Sequence, residues 1–342
     1  MTMKKAISSV VKGENLSIDD AKEVMNIMLS GSATQAQLGS FLTALRMKGE
    51  TLDEIVGCAS VMNQKAEHIN PKTETYIDFV GTGGDGTNTF NISTTSAFVV
   101  AGAGLSVAKH GNRAISSKSG AADVLEALGV NIMLEAKEVE RCVEEIGIGF
   151  MFAQIFNKSM KNVGKARTEM GIRSIFNILG PLSNPSDAKT QFIGVFSPEL
   201  TEPFAQAMRI MGVTRGMVVN GLDGMDEITT TSETVVSEII NDKIINYKLS
   251  PENFGMKRAM PEQLTGGDGR INAKITMDIL TGTIGYRRDI VVLNAAAALY
   301  TGGKVKNIED GIELAKESID SGAALEKLKE LIHFSNSVTE KK

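Results

Sequence analysis

The stretch Tyr76-Ile-Asp-Phe-Val80 is β-prone and runs straight into Gly81-Thr-Gly-Gly-Asp-Gly86, after which Asn91-Ile-Ser-Thr94 opens a helix. A strand that ends in glycines and hands over to a helix N-terminus is the start of an α/β unit. It is also an anion-binding geometry, because glycines let backbone N–H groups approach a phosphate while the helix end adds positive potential. Further candidate strands at 105–109, 149–153 and 216–220 alternate with helical stretches at 120–128, 137–146 and 202–211. That alternation predicts a mostly parallel central sheet surrounded by helices.

Upstream the pattern differs. Ser17-Ile-Asp-Asp20 has capping-box-like spacing and opens a run with apolar Val24, Ile27, Met28 and Leu29. A second helix carries Leu38, Phe41, Leu42 and Leu45, and a third opens at Thr51 with Glu54 three residues on. No strand is expected before residue 75, and the change at Asn70-Pro71 places a boundary near 70. The division is therefore a small helical domain, 1–70, and a larger α/β domain, 71–342, in keeping with 342 residues. Toward the C-terminus, 291–300 reads as a buried helix and 312–332 as helix, a Ser321-Gly322 break, then helix.

Composition excludes several classes of function. No segment approaches the roughly 18 uninterrupted apolar residues of a membrane span, and the opening MTMKKAISSVVKG lacks a secretory h-region, so a cytoplasmic protein is expected. Cys58 and Cys142 lack CxxC spacing and read as buried structural thiols. A net charge of −5 argues against a general nucleic-acid footprint. His68, His110 and His333 are too scattered to suggest a transition-metal site.

The string 81–86 satisfies GxGxxG, but a dinucleotide site wants an acidic residue about 20 positions on. Here the second strand ends in Lys109-His-Gly-Asn-Arg113, which suits another phosphate better than a neutral diol. No Walker A string is present. Glycine-rich turns usually only turn the chain. A glycine loop, a Ser/Thr-rich helix start and a Lys/Arg loop close together nevertheless converge on a doubly phosphorylated ligand. Gly221-Leu-Asp-Gly224 follows the strand at 216–220, and Asp226-Glu227 then offers two carboxylates. Such a pair is commonly a solvated acidic turn. Beside phosphate loops it can hold one or two Mg²⁺ ions, which keep waters and substrate phosphates as further ligands.

Together Gly81-Thr-Gly-Gly-Asp85, Asn91-Ile-Ser-Thr94, Lys109-His-Gly-Asn-Arg113 with Ser116-Ser117, Ser119-Gly-Ala-Ala-Asp-Val-Leu-Glu-Ala-Leu-Gly129, Arg173-Ser-Ile-Phe-Asn-Ile-Leu-Gly-Pro-Leu-Ser-Asn-Pro185 and Met225-Asp-Glu227 resemble the anthranilate phosphoribosyltransferase family. The resemblance covers nearly the whole chain. It implies attack by the anthranilate amine on C1 of phosphoribosyl pyrophosphate, with electrostatic catalysis and no protein nucleophile, up to two Mg²⁺ per monomer and a homodimer. Membrane or nucleic-acid partners are not expected.

Carried over by position, the resemblance assigns phosphoribosyl pyrophosphate first to Gly81, Gly84, Asp85 and Thr89. Asn91, Ile92, Ser93 and Thr94 at the helix start follow, then the stretch Lys109, His110, Gly111, Asn112, Arg113, Ala114, Ile115, Ser116 and Ser117, with Ala121 beyond it. Anthranilate falls to Asn112 and Arg167, in a pocket shaped by Gly81, His110 and Pro181, and magnesium to Ser93, Asp226 and Glu227. An Arg suits a benzoate carboxylate because its planar fork donates two hydrogen bonds.

The chain departs from the family's pattern at Asn157 and Asn220, where many members carry His, and at Met225, where Leu is usual. Two rivals stand beside this reading. A pyrimidine nucleoside phosphorylase would carry a longer Lys-His-Ser-Thr-Gly-Gly loop in place of Lys-His-Gly-Asn-Arg. A paralogue with another acceptor or a nucleic-acid-binding role would keep the fold and lose the reaction.

Overall fold

The computed structural model describes residues 1–114 and 118–338. The sheet is seven-stranded in the order β3-β2-β1-β4-β5-β6-β7. Its strands are β1 Tyr76–Gly81, β2 Ser106–Gly111, β3 Ile148–Phe152, β4 Thr190–Gly194, β5 Arg215–Gly221, β6 Thr234–Ile240 and β7 Lys243–Leu249. The first five are mutually parallel, while β5, β6 and β7 pair antiparallel. The architecture matches the expected one: helices first, then a mostly parallel sheet wrapped by helices.

Successive residues in a strand point to opposite faces, and here both faces are covered. Phe79, Phe192 and Met217 enter one core with the helices Ile92–Gly102 and Tyr286–Thr301. Val80, Ile193 and Val218, each one residue on, enter the other. That second core is built from the N-terminal helices Met3–Val11, Ile18–Leu29, Gln35–Lys48 and Leu52–Gln64. Helices Lys161–Met170, Phe176–Leu179 and Thr201–Ile210 join it from the later chain.

The expected caps are present. Ser17 accepts from Asp20 N at 3.2 Å. Thr51 and Glu54 form the reciprocal capping box, with Thr51 N donating to Glu54 Oε2 at 2.8 Å. Glu54 is buried and does more than cap, since it also receives Leu16 N at 3.0 Å and Lys48 Nζ at 2.9 Å. The C-terminal break at Ser321-Gly322 is real, with Gly322 at φ 80° between helices Ile308–Asp320 and Ala323–Ser337. Both thiols are buried and free, and burial pushes Cys142 up to about 12.

Four expected strands are found within two residues of their expected ends. β4, β6 and β7 and the first helix were not anticipated. β6 and β7 form a hairpin whose two turn residues, Asn241 and Asp242, both adopt positive φ (50° and 60°), the backbone of a two-residue turn that matches strand twist. An Asn-Asp pair between β-branched runs was a readable signal.

Because β1 leads to β2 and β3 on one side and β4 lies on the other, the strand order reverses beside β1. In parallel α/β sheets ligands bind outside the strand C-termini at such a switch point, here where Gly81 of β1 pairs with Gly194 of β4. Phe192 and Phe79 meet edge-to-face beneath it, with ring centroids 4.8 Å apart. Truncating the fully buried Phe192 to Ala is expected to cost about 3–5 kcal/mol, read as a lowered urea midpoint by circular dichroism. A loss below about 1 kcal/mol would contradict this account of the core.

Candidate active site

The two glycines at the switch point are required by what lies against them. A Cβ on Gly194 would sit 1.6 Å from the Asp226 carbonyl oxygen, and one on Gly81 would sit 2.3 Å from Asp226 Oδ2. The acidic loop thus enters where two strand ends present only backbone. Gly83 N then donates to Asp226 Oδ2 at 2.6 Å, tying the glycine loop to the carboxylate. Gly83, Gly84 and Gly86 all adopt positive φ, which makes this tight turn feasible.

Lys109, at the end of β2, is buried. Its ammonium donates to the Phe79 carbonyl and to Ser93 Oγ, the latter at 3.3 Å. Ser93 N in turn donates to Glu227 Oε1 at 3.0 Å. Ser93 therefore links the ammonium to the second acidic residue. Burial pulls the Lys109 pKa down to about 8, against the opposing pull of Asp78, Glu227 and Asp226. Burial and the nearby Asp85 push Asp226 up to about 7, and burial and Asp226 raise Glu227 well above its ordinary value. Two adjacent carboxylates this reluctant to ionise favour an added cation. Among the described residues no group of three or more His, Cys, Asp or Glu side chains forms a self-contained metal cage. The donor set therefore suits a hard ion held by one or two carboxylates plus a substrate's phosphates.

The other expected residues make contacts of their own. Asp85 accepts from the backbone and hydroxyl of Thr87. Thr89 bridges to Thr265. Asn91 precedes helix Ile92–Gly102 without capping it by its side chain. Its amide donates to Ser119 O at 3.2 Å and accepts from Ser119 Oγ at 3.2 Å and Asn272 Nδ2 at 2.8 Å. Ile92 and Thr94 are buried in the helix. A Cβ on Gly111 would meet Phe150 and Ala121 at 3.0 and 3.1 Å. Asn112 Oδ1 accepts from Arg113 N at 2.8 Å. Arg113 faces Asp123 and Glu126, and Ala114 N donates to Asp123. Ile115, Ser116 and Ser117 lie outside the described residues.

His110 Nδ1 lies 3.2 and 3.1 Å from the two Asp78 oxygens, and its Nε2 lies 2.9 Å from Gly180 O, beside buried Pro181. Arg167 lies half-buried, its guanidinium 5.2 Å from the Phe176 ring, and burial lowers its pKa. That guanidinium makes no hydrogen bond or ion pair among the described residues, so its fork is available.

Three residues acquire roles that spacing did not reveal. Arg173 donates to Gly84 O and stacks 4.3 Å over Phe196, bracing the glycine loop. Asn220 is fully buried and donates to Val195 O at 2.7 Å and Met225 O at 3.4 Å, anchoring the acidic loop. Asn272 reaches Asn91 across 181 positions of sequence, beyond any local pattern. Asn157 sits at the helix end after Ala153–Phe156, its N–H donating to Ala153 O at 2.8 Å.

The family model for the glycosyl transferase family helical bundle domain matches residues 4–66, and that for the glycosyl transferase family a/b domain matches 73–325. An anthranilate phosphoribosyltransferase of Acetivibrio thermocellus is 58% identical over 335 residues, covering 98% of this chain and 97% of the relative. The chain belongs to the anthranilate phosphoribosyltransferase family. The crystal structure of the Thermus thermophilus member superposes with a TM-score of 0.92 at 40% identity, over 97% of this chain and 99% of that one. The Saccharomyces cerevisiae member, in complex with phosphoribosyl pyrophosphate and Mg, gives 0.91 at 28% identity, over 98% of both chains.

For His110, burial favours the neutral imidazole, but the Asp78 carboxylate and the Gly180 carbonyl outweigh it and the pKa is raised. The folded state therefore binds this proton more tightly than the unfolded chain. The stabilisation is fully present below the unfolded value of about 6.5 and is lost as pH rises through the higher folded value. Thermal unfolding should show wild type exceeding His110→Gln by a larger margin at about pH 5.5 than at about pH 9. An equal margin at both would refute the Asp78–His110 pairing.

Proposed function

We infer that this protein is an anthranilate phosphoribosyltransferase, joining the phosphoribosyl group of 5-phospho-α-D-ribose 1-diphosphate to anthranilate with release of pyrophosphate, in tryptophan biosynthesis. The observation that carries the reading is the pair of half-buried Asp226 and buried Glu227, joined through Gly83 and Ser93 to a glycine loop and a helix N-terminus. That arrangement fits a magnesium-bound pyrophosphate, and family membership supplies the acceptor.

The donor lies against the amides of 81–85 and the start of helix Ile92–Gly102, with Thr89, Asn91 and Lys109 around it. Helix-end amides orient its phosphates, and the Lys109 ammonium offsets charge that builds on the leaving oxygens. Asp226, Glu227 and the Ser93 hydroxyl hold Mg²⁺, up to two ions per monomer. When bound, the metal neutralises the pyrophosphate and eases its departure. The Arg167 fork takes the anthranilate carboxylate, with Asn112 and a wall of Gly81, His110 and Pro181 placing the amine. The amine lone pair forms the C1–N bond as the C1–O bond to pyrophosphate breaks, and the amine proton passes to solvent. No side chain is bonded to the sugar at any stage.

With the domain boundary at residue 70, Arg167 belongs to the larger domain, on helix Lys161–Met170, which packs with the N-terminal helices on the face of the sheet opposite helix Ile92–Gly102. Val11 and Met47 expose apolar side chains (68% and 83%) on the helical layer, which suits burial in a homodimer. Among the described residues no helix is long and apolar enough to cross a membrane; we place the enzyme in the cytoplasm.

The direct test follows anthranilate fluorescence when purified protein meets both substrates and Mg²⁺. Loss of signal that a chelator prevents is the expected result, and no loss with donor still bound would point to another acceptor. Asp226→Asn with Glu227→Gln should abolish metal-dependent turnover while far-ultraviolet circular dichroism stays native; unchanged turnover would remove the metal assignment. Arg167→Ala should raise the KM for anthranilate by roughly tenfold or more, as loss of a charged hydrogen-bonding partner implies. A greater effect on the KM of the phosphorylated substrate would contradict the acceptor role.

A further inference from the structure

The segment that leaves β2 at Gly111 returns at helix Ala121–Ala127, and its two ends are drawn together by one carboxylate. Asp123 Oδ2 accepts Ala114 N at 2.9 Å and Gly120 N at 2.8 Å. Asp123 Oδ1 accepts Arg113 Nη1 at 3.1 Å. The Arg113 fork continues to Glu126, with Nη1 to Oε2 at 2.6 Å and Nη2 to Oε1 at 2.8 Å, and its guanidinium lies 5.6 Å from the Phe152 ring centroid. Ala122 N closes on Asn112 O at 3.2 Å. The approach is so close that a Cβ on Gly120 would lie 2.5 Å from Ala114 N and from Asn112 O.

We propose that Asp123, Arg113 and Glu126 form a neck that holds residues 112–114 against 120–123, and that Arg113 is a positioning residue in this neck rather than a ligand of the donor's phosphates. An acidic residue in the first turn of a helix, bonded to the backbone just ahead of it, is in part an ordinary cap. The bond from Ala114, nine residues upstream, and the bond from Arg113 serve no cap. They hold the strand-side end of the loop against the helix-side end. Arg113 also faces two carboxylates through a bidentate, charge-assisted pair. A phosphate reaching it would have to displace Glu126 and then compete with Asp123. The neck thus fixes Lys109 and Asn112 on the strand side relative to Ser119 and Gly120 on the helix side, where Ser119 holds Asn91.

This inference rests on the donor-binding reading above. The test measures donor affinity calorimetrically with phosphoribosyl pyrophosphate and Mg²⁺, together with the KM of each substrate, for wild type, Glu126→Gln, Arg113→Gln and the double variant. Glu126 is close to half exposed, so its variant folds. The neck predicts that both single changes weaken donor binding by a similar factor, about tenfold, and that the double variant is no weaker than either single, because residues of one network are not additive. The KM for anthranilate should stay within about twofold, which a general loss of fold would not spare. Unchanged or tighter donor binding in Glu126→Gln, with weakening only in Arg113→Gln, would make Arg113 a phosphate ligand and overturn the proposal. So would a double variant whose loss equals the product of the singles, or donor binding unaltered in all three. A wild type that neither binds the donor nor turns over would instead refute the functional reading itself.

Discussion

The site depends on one steric fact: Asp226 occupies space that side chains on Gly81 and Gly194 would fill. With those strand ends bare, the acidic loop reaches the switch point of the sheet and meets the glycine loop there. Everything else follows from the cost of having carboxylates in that place. Glu227 is satisfied by the Ser93 amide, Asp226 by the Gly83 amide, and Lys109 supplies a positive charge within the same buried volume. Electrostatic interactions strengthen where water is excluded, so a site of few charges can act strongly on a pyrophosphate.

Placement of the remaining groups follows the two faces of the sheet. The groups proposed for the donor come from strand ends and from the helix that starts at Ile92, within the first core. Arg167 comes from helix Lys161–Met170, packed with the N-terminal helices in the second. The Asn220 amide contributes differently: it pins the Met225 carbonyl and so sets where the next two residues fall. An amide donor at that position stabilises the acidic loop instead of facing a substrate.

Much of this was legible in the sequence, for physical reasons that differ by element. The strand at Tyr76, the glycine loop and the helix start form one local unit, so their geometry is encoded within about twenty positions, a typical span for such a motif. The caps at Ser17 and Thr51 are equally local. β4 escapes a local reading because a short apolar run near glycine and proline resembles a loop until neighbouring strands pair with it, whereas the β6–β7 hairpin carries a local sign in its Asn241-Asp242 turn. The roles of Arg173 and Asn220, and the occupation of Arg113 by Asp123 and Glu126, depend on where loops come to rest in space. Spacing alone carries no record of that.

The Asn91 amide has both of its ends engaged in tertiary contacts and leaves the helix it precedes without a side-chain cap. The second amide of that helix goes to Glu227 instead, and the Asn91 side chain ties the helix start to a residue far downstream. Contacts of such long sequence separation form late and slowly. During synthesis on the ribosome, the phosphate-binding end of the molecule stays incomplete until the helix bearing Asn272 has emerged, although every glycine of the loop was made long before.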